Sequence, residues 1–244
     1  MGLFNRRKEN RPTFEVLGTD MHCHLLPSVD DGSRDINETL SCLKTMKSLG
    51  FKKIYFTPHF QANYPNDETD IVKRFEQLKK ALAPHASEIP ELAGISGEYR
   101  FDQRYERRAG IDAVNPLPGK KLLCELSLHG SNYNPLESFK AFLAEGYNLI
   151  LAHPERYPYL GIHSPELKEI LDLGIKLQLN TLSLNGFYGP AALEKGFAFL
   201  ENGWVSYLGT DLHNTHYAQE LVATAANSKV QKVLQRYKFL NSEL

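Results

Sequence analysis

Apolar and polar positions follow two periods along the chain, and the points where the period changes divide it into short strands and helices. A two-residue period marks Thr19-Asp20-Met21-His22-Cys23-His24 as a strand, with His22 and His24 on one face and Cys23 on the other. A loop follows, by its content of Pro27, Asp30, Asp31 and Gly32. Ile36, Leu40, Leu43, Met46 and Leu49 then recur at helical spacing, which predicts a helix over 37–49 stopped by Gly50. The same reading predicts strands over 53–57, 91–97, 121–126, 147–152, 176–180 and 203–209. It predicts helices over 67–82, 135–145, 166–173 and 191–201, and one or two closing helices over 219–240. Residues 101–118 read as irregular or partly helical.

Seven strands thus alternate with helices, joined by short connections. Strict alternation implies parallel strands with helical crossovers, an α/β fold. The polar residues select a closed barrel over an open doubly wound sheet. His22, His24, His59, Glu98, Glu125, His153, Asp211 and His213 all fall at or just past the C-terminal end of a strand. A barrel gathers those ends around one mouth, whereas an open sheet spreads them along a ridge of about 4.8 Å per strand. One domain is expected over 19–244, preceded by a solvated basic tail over 1–18 that carries Arg6, Arg7 and Lys8.

Composition narrows the class further. The 244 residues are 42% hydrophobic and 23% charged, enough for one large core. A formal net charge of −1 supplies no basic field for nucleic acid. Cys23, Cys42 and Cys124 are odd in number and form no C-x-x-C, which argues against a disulfide framework or thiolate zinc site and fits a reducing cytoplasm. No apolar run approaches the ~20 residues that span a bilayer, so no stable membrane insertion is expected.

Five of the nine histidines lie at strand ends, while His85, His129, His163 and His216 lie elsewhere. With Glu98, Glu125, Asp211 and the loop residue Asp31 they make a set of imidazoles and carboxylates without thiolates, which suits Mn²⁺, Fe²⁺ or Zn²⁺. The set is too large for one ion. Two or three ions bridged by a carboxylate would clamp both oxygens of a phosphoryl displacement. Cys23 is not a phosphatase nucleophile of the H-C-x5-R type, since Val29 stands where the arginine belongs and the thiol faces away from the histidines. Tyr99, Phe101, Tyr105, Tyr157, Tyr188 and Tyr217 follow the strand-end motifs and are candidates to line the mouth.

The motifs D-x-H-x-H, V-D-D-G, T-P-H, G-E-Y, E-L-S, A-H-P-E-R-Y and T-D-L-H run in this order from Asp20 to His213. In this the chain resembles the polymerase-and-histidinol-phosphatase (PHP) superfamily, and within it the bacterial manganese-dependent protein-tyrosine phosphatases of capsular and exopolysaccharide synthesis. The resemblance implies a distorted seven-stranded βα barrel of the PHP type holding a trinuclear Mn²⁺ site. It implies His22, His24, Glu98 and Asp211 around one ion, and Glu98 bridging to a second held also by Glu125 and His153. Asp31, His59 and His213 would hold the third. Catalytic roles fall to Arg156, Asp211 and His213, with Arg156 at the phosphate, where a guanidinium fork can bind two phosphoryl oxygens. Relatives often carry another arginine after T-D-L-H; Asn214-Thr215-His216-Tyr217 has none, and His216 is the expected stand-in for substrate binding. The implied reaction is hydrolysis of phosphotyrosine in protein by a metal-activated hydroxide, without a covalent enzyme intermediate. The implied partner is a cytoplasmic tyrosine autokinase that controls polysaccharide export. The alternatives are a small-molecule phosphatase of the histidinol-phosphate kind and an inactive metal-binding regulatory module, and the complete ligand set argues against the latter.

Overall fold

Parallel pairing starts where the opening strand meets its neighbour: β1 (Thr19–Asp20) pairs with β2 (Lys53–Phe56) in the register Thr19↔Lys53. The structure, a computed structural model, describes residues 12–102, 115–130 and 134–244. β2 pairs in turn with β4 (Glu91–Ile95), completing a three-stranded parallel sheet. A six-stranded parallel sheet runs in the order β3 (His59–Phe60), β5 (Glu98–Arg100), β6 (Lys121–Glu125), β7 (Asn148–Ala152), β8 (Lys176–Asn180) and β9 (Val205–Gly209).

The two sheets join because β3 continues the path of β2 and β5 that of β4. The strands expected over 53–57 and 91–97 appear as β2 and β4, and each path resumes just past its expected end as β3 and β5, giving nine strands among the described residues instead of seven. Pro58 has no N–H to offer a ladder, but the ladder crosses the break: Ser96 N–H donates to Phe56 C=O (2.8 Å) and Glu98 N–H to Pro58 C=O (3.0 Å). Residues just beyond β1 and β9 close the ring through a parallel bridge, Cys23 to Leu212. There His24 N–H donates to Leu212 C=O (2.9 Å) and Asp211 N–H to His22 C=O (2.8 Å). Asp20 adds a side-chain clasp, accepting from the Thr210 N–H (2.9 Å) and hydroxyl (2.7 Å).

Strand residues face two cores in alternation. Ile54, Phe56, Leu122, Cys124, Leu149, Leu151, Leu177, Leu179 and Leu208 enter the large core beneath the helices. Tyr55, Leu123, Ile150 and Tyr207 join Met21 in a smaller core inside the ring. One alternation further along, Leu123 gives way to Glu125 and Tyr207 to Gly209, so the interior turns polar toward the strand ends.

The helices are α1 (Ile36–Ser48), α2 (Glu68–Leu82), α3 (Leu136–Ala144), α4 (Pro165–Asp172), α5 (Pro190–Glu201), α6 (Thr215–Ala226) and α7 (Ser228–Arg236). Side-chain caps set several starts: Asp35, Asp67, Ser164, Asn214 and Asn227 each accept a backbone N–H of the first turn. The closing helix begins four residues before its expected start because Asn214 caps it, and Asn227 divides it in two. Among the described residues, no helix is long and apolar enough to cross a membrane.

The expected tail over 1–18 is not all solvated. Phe14 is fully buried with its ring 5.7 Å from that of Phe51, and Leu17 is also core, so packing starts before β1. Residues 1–11, with the basic Arg6, Arg7 and Lys8, lie outside the described residues. So do Tyr105 and most of the stretch read as irregular over 101–118.

Asn241 ties the last turn, Leu240–Glu243, to the ring. Fully buried, it accepts from Leu208 N–H (3.0 Å) and donates to Leu208 C=O (2.7 Å) and Thr19 C=O (3.0 Å). Asn241→Ala strands three buried backbone groups and is expected to cost about 3 kcal/mol. That corresponds to a fall of roughly 6–12 °C in Tm. Calorimetry checks it, and an unchanged Tm would remove Asn241 from the closure.

Candidate metal centre

The strand ends bring nine ionisable side chains to one place. His22 and His24 share a face, as their alternation predicts, with Nε2 atoms 3.2 Å apart. Asp211 Oδ1 lies 3.4 Å from His22 Nε2 and 3.3 Å from His24 Nε2, and Glu98 lies 3.4 Å from each. Glu98 also approaches His153 Nε2 and His59 Nδ1, both at 2.9 Å, and Glu125 stands 3.8 Å from His59 Nδ1 and 4.0 Å from His153 Nε2. At the rim, Asp31 Oδ1 is 3.4 Å from His59 Nε2 and 3.7 Å from His213 Nε2. Asp31 and His213 are partly open to solvent, and the other seven residues are buried.

The donor set fits divalent cations. His59 Nδ1, Glu98 Oε2 and Glu125 Oε2 are buried and crowd one another without a well-aligned hydrogen bond, His59 Nδ1 and Glu98 Oε2 at 2.9 Å, an arrangement that a shared cation would relieve. The atoms fall into four overlapping clusters: His24, Asp31, His59 and His213; His22, His24 and Asp211; His22, Glu98 and His153; and His59, Glu98 and Glu125. Within each cluster the ligand atoms lie within 4.8 Å of one another. The second cluster and Glu98 coincide with the first group implied by the resemblance. His59 faces both ways, with Nε2 toward Asp31 and Nδ1 toward the two glutamates, whereas the resemblance placed it only with Asp31 and His213.

The groups shift one another's ionisation in both directions. Burial works against ionising Glu98 and Asp211, yet the neighbouring histidines keep both carboxyls well below the usual carboxylate range. Burial and the charge on Glu98 push Glu125 up to about 7. Burial works against charging His22 too, but Glu98 and Asp211 raise it to about 9. His153 is brought down to about 4 by burial and the nearby Arg156.

Backbone strain coincides with the site. His153 and Asp211 have φ of +35° and +52°, a left-handed conformation costing a non-glycine residue on the order of 1–3 kcal/mol. His153 opens the turn Pro154–Arg156, which carries Arg156 back over the strand ends. Arg156 Nη1 donates to Asp211 Oδ2 (2.8 Å), and its guanidinium lies 4.2 Å from the Tyr188 ring centroid. Burial opposes this charge, but the Asp211 carboxylate outweighs it and raises the Arg156 pKa.

Several supporting residues escaped the sequence reading. Asp30, not only Asp31, matters in V-D-D-G: its Oδ2 pairs with His24 Nδ1 (2.8 Å) and accepts His59 N–H (3.0 Å). Gly32 is required beside it, because a Cβ there would lie 1.9 Å from His24 O. Glu155 Oε1, inside H-P-E-R-Y, accepts Asn180 N–H (3.1 Å) and the Ser183 hydroxyl (2.6 Å). Gln178 and Asn180, on one face of β8, reach His22 and Asp211. Spacing alone could have flagged that last pair, as it did His22 and His24.

A cavity of about 410 Å³ opens over the cluster, lined by Asp31, His59, Glu98, Glu125, His153, Arg156, Asp211 and His213. Gln61, Asn63, Arg100, Leu128, His129, Asn214 and Tyr217 complete the wall. His129 therefore belongs to the site, although its position in the chain had set it apart. His216 does not line the cavity: it is exposed on the first turn of α6, its ring 5.9 Å from that of Phe187. Among the described residues the aromatic mouth is also smaller than expected. Tyr99 and Tyr157 are fully buried, Phe101 packs on Phe139 and Phe142, and Tyr188 lies under Arg156, which leaves Tyr217 in the lining. Cys23 is buried on the opposite face, its thiol pushed well up by burial and aimed at Tyr55 C=O.

Tyrosine-protein phosphatase YwqE of Bacillus subtilis is 24% identical over 200 residues, covering 80% of this chain and 77% of that protein. The putative tyrosine-protein phosphatase CapC of Staphylococcus aureus is 28% identical over 202 residues, covering 80% and 76%. A chain from the crystal structures of YwqE and of CpsB from Streptococcus pneumoniae, metal-dependent tyrosine phosphatases, superposes with a TM-score of 0.75. That match is 24% identical and covers 92% of this chain and 94% of that one. The fold is also shared with the phosphotriesterase homology protein of Escherichia coli, with a TM-score of 0.50 at 14% identity, covering 94% and 96%. Residues 18–238 match the family described as "Capsular polysaccharide synthesis, CpsB/CapC". The chain therefore belongs to the CpsB/CapC family of capsular polysaccharide synthesis proteins.

Proposed function

We propose that the protein is a metal-dependent protein-tyrosine phosphatase acting on phosphotyrosine in protein. The observation that carries this reading is the convergence of nine candidate metal-ligand side chains in one cluster, seven of them lining the same cavity as Arg156. His22, His24, Asp31, His59, Glu98, Glu125, His153, Asp211 and His213 would hold two or three ions; the mixed imidazole and carboxylate donors suit Mn²⁺, Fe²⁺ or Zn²⁺, and the resemblance to manganese-dependent phosphatases favours Mn²⁺. Bound ions supply positive charge to the phosphoryl oxygens and lower the pKa of water.

The chain's own groups do the rest. Arg156 presents a guanidinium fork at the cavity wall, fixed by Asp211 on one side and the Tyr188 face beneath, and grips the phosphoryl group bidentately. His213 donates its Nδ1–H to Asp211 C=O (2.8 Å), so its Nε2 lone pair faces the rim. Asp211 links the two parts, with Oδ2 toward Arg156 and Oδ1 toward the histidines. The physiological substrate is a tyrosine autokinase of polysaccharide export, met in the cytoplasm. Membership of a capsule-synthesis family supports the first point, and three buried free cysteines support the second.

Phosphotyrosine peptide, histidinol phosphate and a generic aryl phosphate, assayed side by side with Mn²⁺, test the proposal. The peptide is expected to give the highest kcat/KM, and a preference for histidinol phosphate would overturn it. The mechanism has a second check at Cys23. Because the thiol is buried and faces away from the cluster, Cys23→Ser is expected to keep substantial activity, with no phosphocysteine trapped on mixing with substrate. A trapped phosphocysteine would replace metal-assisted hydrolysis by thiol chemistry.

A further inference from the structure

Between His22 and Asp211 the interior of the ring holds two amides. Gln178 and Asn180 lie two residues apart on β8, share its inner face, and are both fully buried. Gln178 Oε1 lies 2.8 Å from His22 Nδ1, Gln178 Nε2 lies 3.0 Å from Asn180 Oδ1, and Asn180 Nδ2 lies 2.6 Å from Asp211 Oδ2. Room for this contact comes from Gly209, where a Cβ would lie 2.7 Å from Gln178 Nε2 and 2.8 Å from His22 Cβ.

The direction of every bond in this chain follows from its far end. Asp211 Oδ2 takes Arg156 Nη1 at 2.8 Å and the Tyr188 hydroxyl at 3.2 Å as well, so it is an ionised oxygen that only accepts. Asn180 must then turn its NH₂ toward Asp211 and its oxygen toward Gln178. Gln178 must in turn offer its NH₂ to Asn180 and its oxygen to His22. His22 has one option left at this nitrogen, to donate from Nδ1, so in its neutral form the lone pair falls on Nε2. At the other end Oδ2 is taken up by three donors, so Oδ1, 3.4 Å from His22 Nε2, is the free carboxylate atom.

We infer that Gln178 and Asn180 are positioning residues, a directional amide relay that ties the tautomer of His22 to the carboxylate of Asp211. It presents Nε2 of one and Oδ1 of the other to the same cation. The inference rests on the proposed reading of those two residues as metal ligands. Outer partners of this kind typically change metal affinity by about 10–100-fold when removed.

The discriminating experiment compares Gln178→Met with Gln178→Glu, reading the metal dissociation constant by competition with a chromogenic chelator. Methionine keeps the length and apolar bulk but accepts no bond from Nδ1–H, and is expected to weaken binding of one ion by about 10–100-fold. Glutamate keeps the acceptor for His22 Nδ1–H but loses the NH₂ that Gln178 offers Asn180 Oδ1, so it is expected to recover only part of that loss, and it brings a charge into a fully buried position. A residue that merely fills space predicts the reverse order, so methionine equal to or better than glutamate overturns the inference. A measurement on wild type stands independently of any variant's folding. In protein loaded with diamagnetic Zn²⁺, ¹⁵N NMR is expected to show His22 protonated at Nδ1 and metal-bound at Nε2, and the opposite assignment overturns the relay. Wild type that takes up no metal would overturn the proposed function and this inference together. Wild type that loads normally while Gln178→Met matches it overturns the inference alone.

Discussion

Chelating the divalent metal from the purified protein is expected to take its phosphotyrosine activity below about 1% of the loaded enzyme, because several kcal/mol of charge stabilisation leaves with the ions. Mn²⁺ is expected to restore more activity than Mg²⁺. Five of the nine converging side chains are imidazoles, which suit the softer ion, while Mg²⁺ demands oxygen donors and holds its waters. The pH dependence of reloading has a definite sign. With protein groups alone, burial is overcome by Glu98 and Asp211, and the His22 pKa is raised to about 9. A cation can take Nε2 only after that proton leaves, so metal affinity is expected to rise with pH up to about 9 and to weaken as pH falls below it. His22→Ala is expected to lose metal and activity together, because His22 belongs to two of the four clusters. Metal analysis beside steady-state kinetics checks each point, and full activity in protein verified free of metal would overturn the reading.

What the sequence made legible, and what it hid, divides along a physical line. Strand ends were readable because periodicity marks where a buried strand stops, and a barrel turns that one-dimensional mark into proximity. His22, Glu98, His153 and Asp211 are far apart in the chain yet meet within a few ångströms for that reason. Residues whose contribution depends on direction rather than position were not readable. Asp30 and Asp31 are adjacent and chemically identical, but one turns inward to His24 and the other faces the rim. His216 follows T-D-L-H closely, yet the helix capped by Asn214 begins there and carries it outward beside Phe187. Tyr188 was expected at the mouth as a substrate platform and instead supports Arg156 from below. The resumption of the strands past Thr57-Pro58 and Ser96-Gly97 was equally invisible to a period count, because His59–Phe60 and Glu98–Arg100 are too short to show a period.

Arg156→Ala is expected to separate binding of phosphate from binding of metal. Asp211 keeps Asn180 and Tyr188 as donors when the guanidinium goes, so its Oδ1 stays aimed at the histidines and metal content is expected to remain near wild type. Activity is expected to fall by roughly 10²-fold or more, the scale of losing one transition-state donor worth about 2.7–4 kcal/mol. The loss falls on kcat as well as KM, because the fork that holds the equatorial phosphoryl oxygens also aligns phosphorus for in-line attack and meets the charge spread over those oxygens in the transition state. Arg156→Lys is expected to recover only part of it. A point charge can pair with Asp211, but it cannot reproduce the fork or lie flat 4.2 Å from the Tyr188 ring centroid. Metal analysis and steady-state kinetics on the two variants beside His22→Ala decide the matter. The expected pattern is metal kept and activity lost in Arg156→Ala, against both lost in His22→Ala. An Arg156→Ala protein with wild-type kcat/KM would remove Arg156 from the reaction and leave its bond to Asp211 as a structural contact.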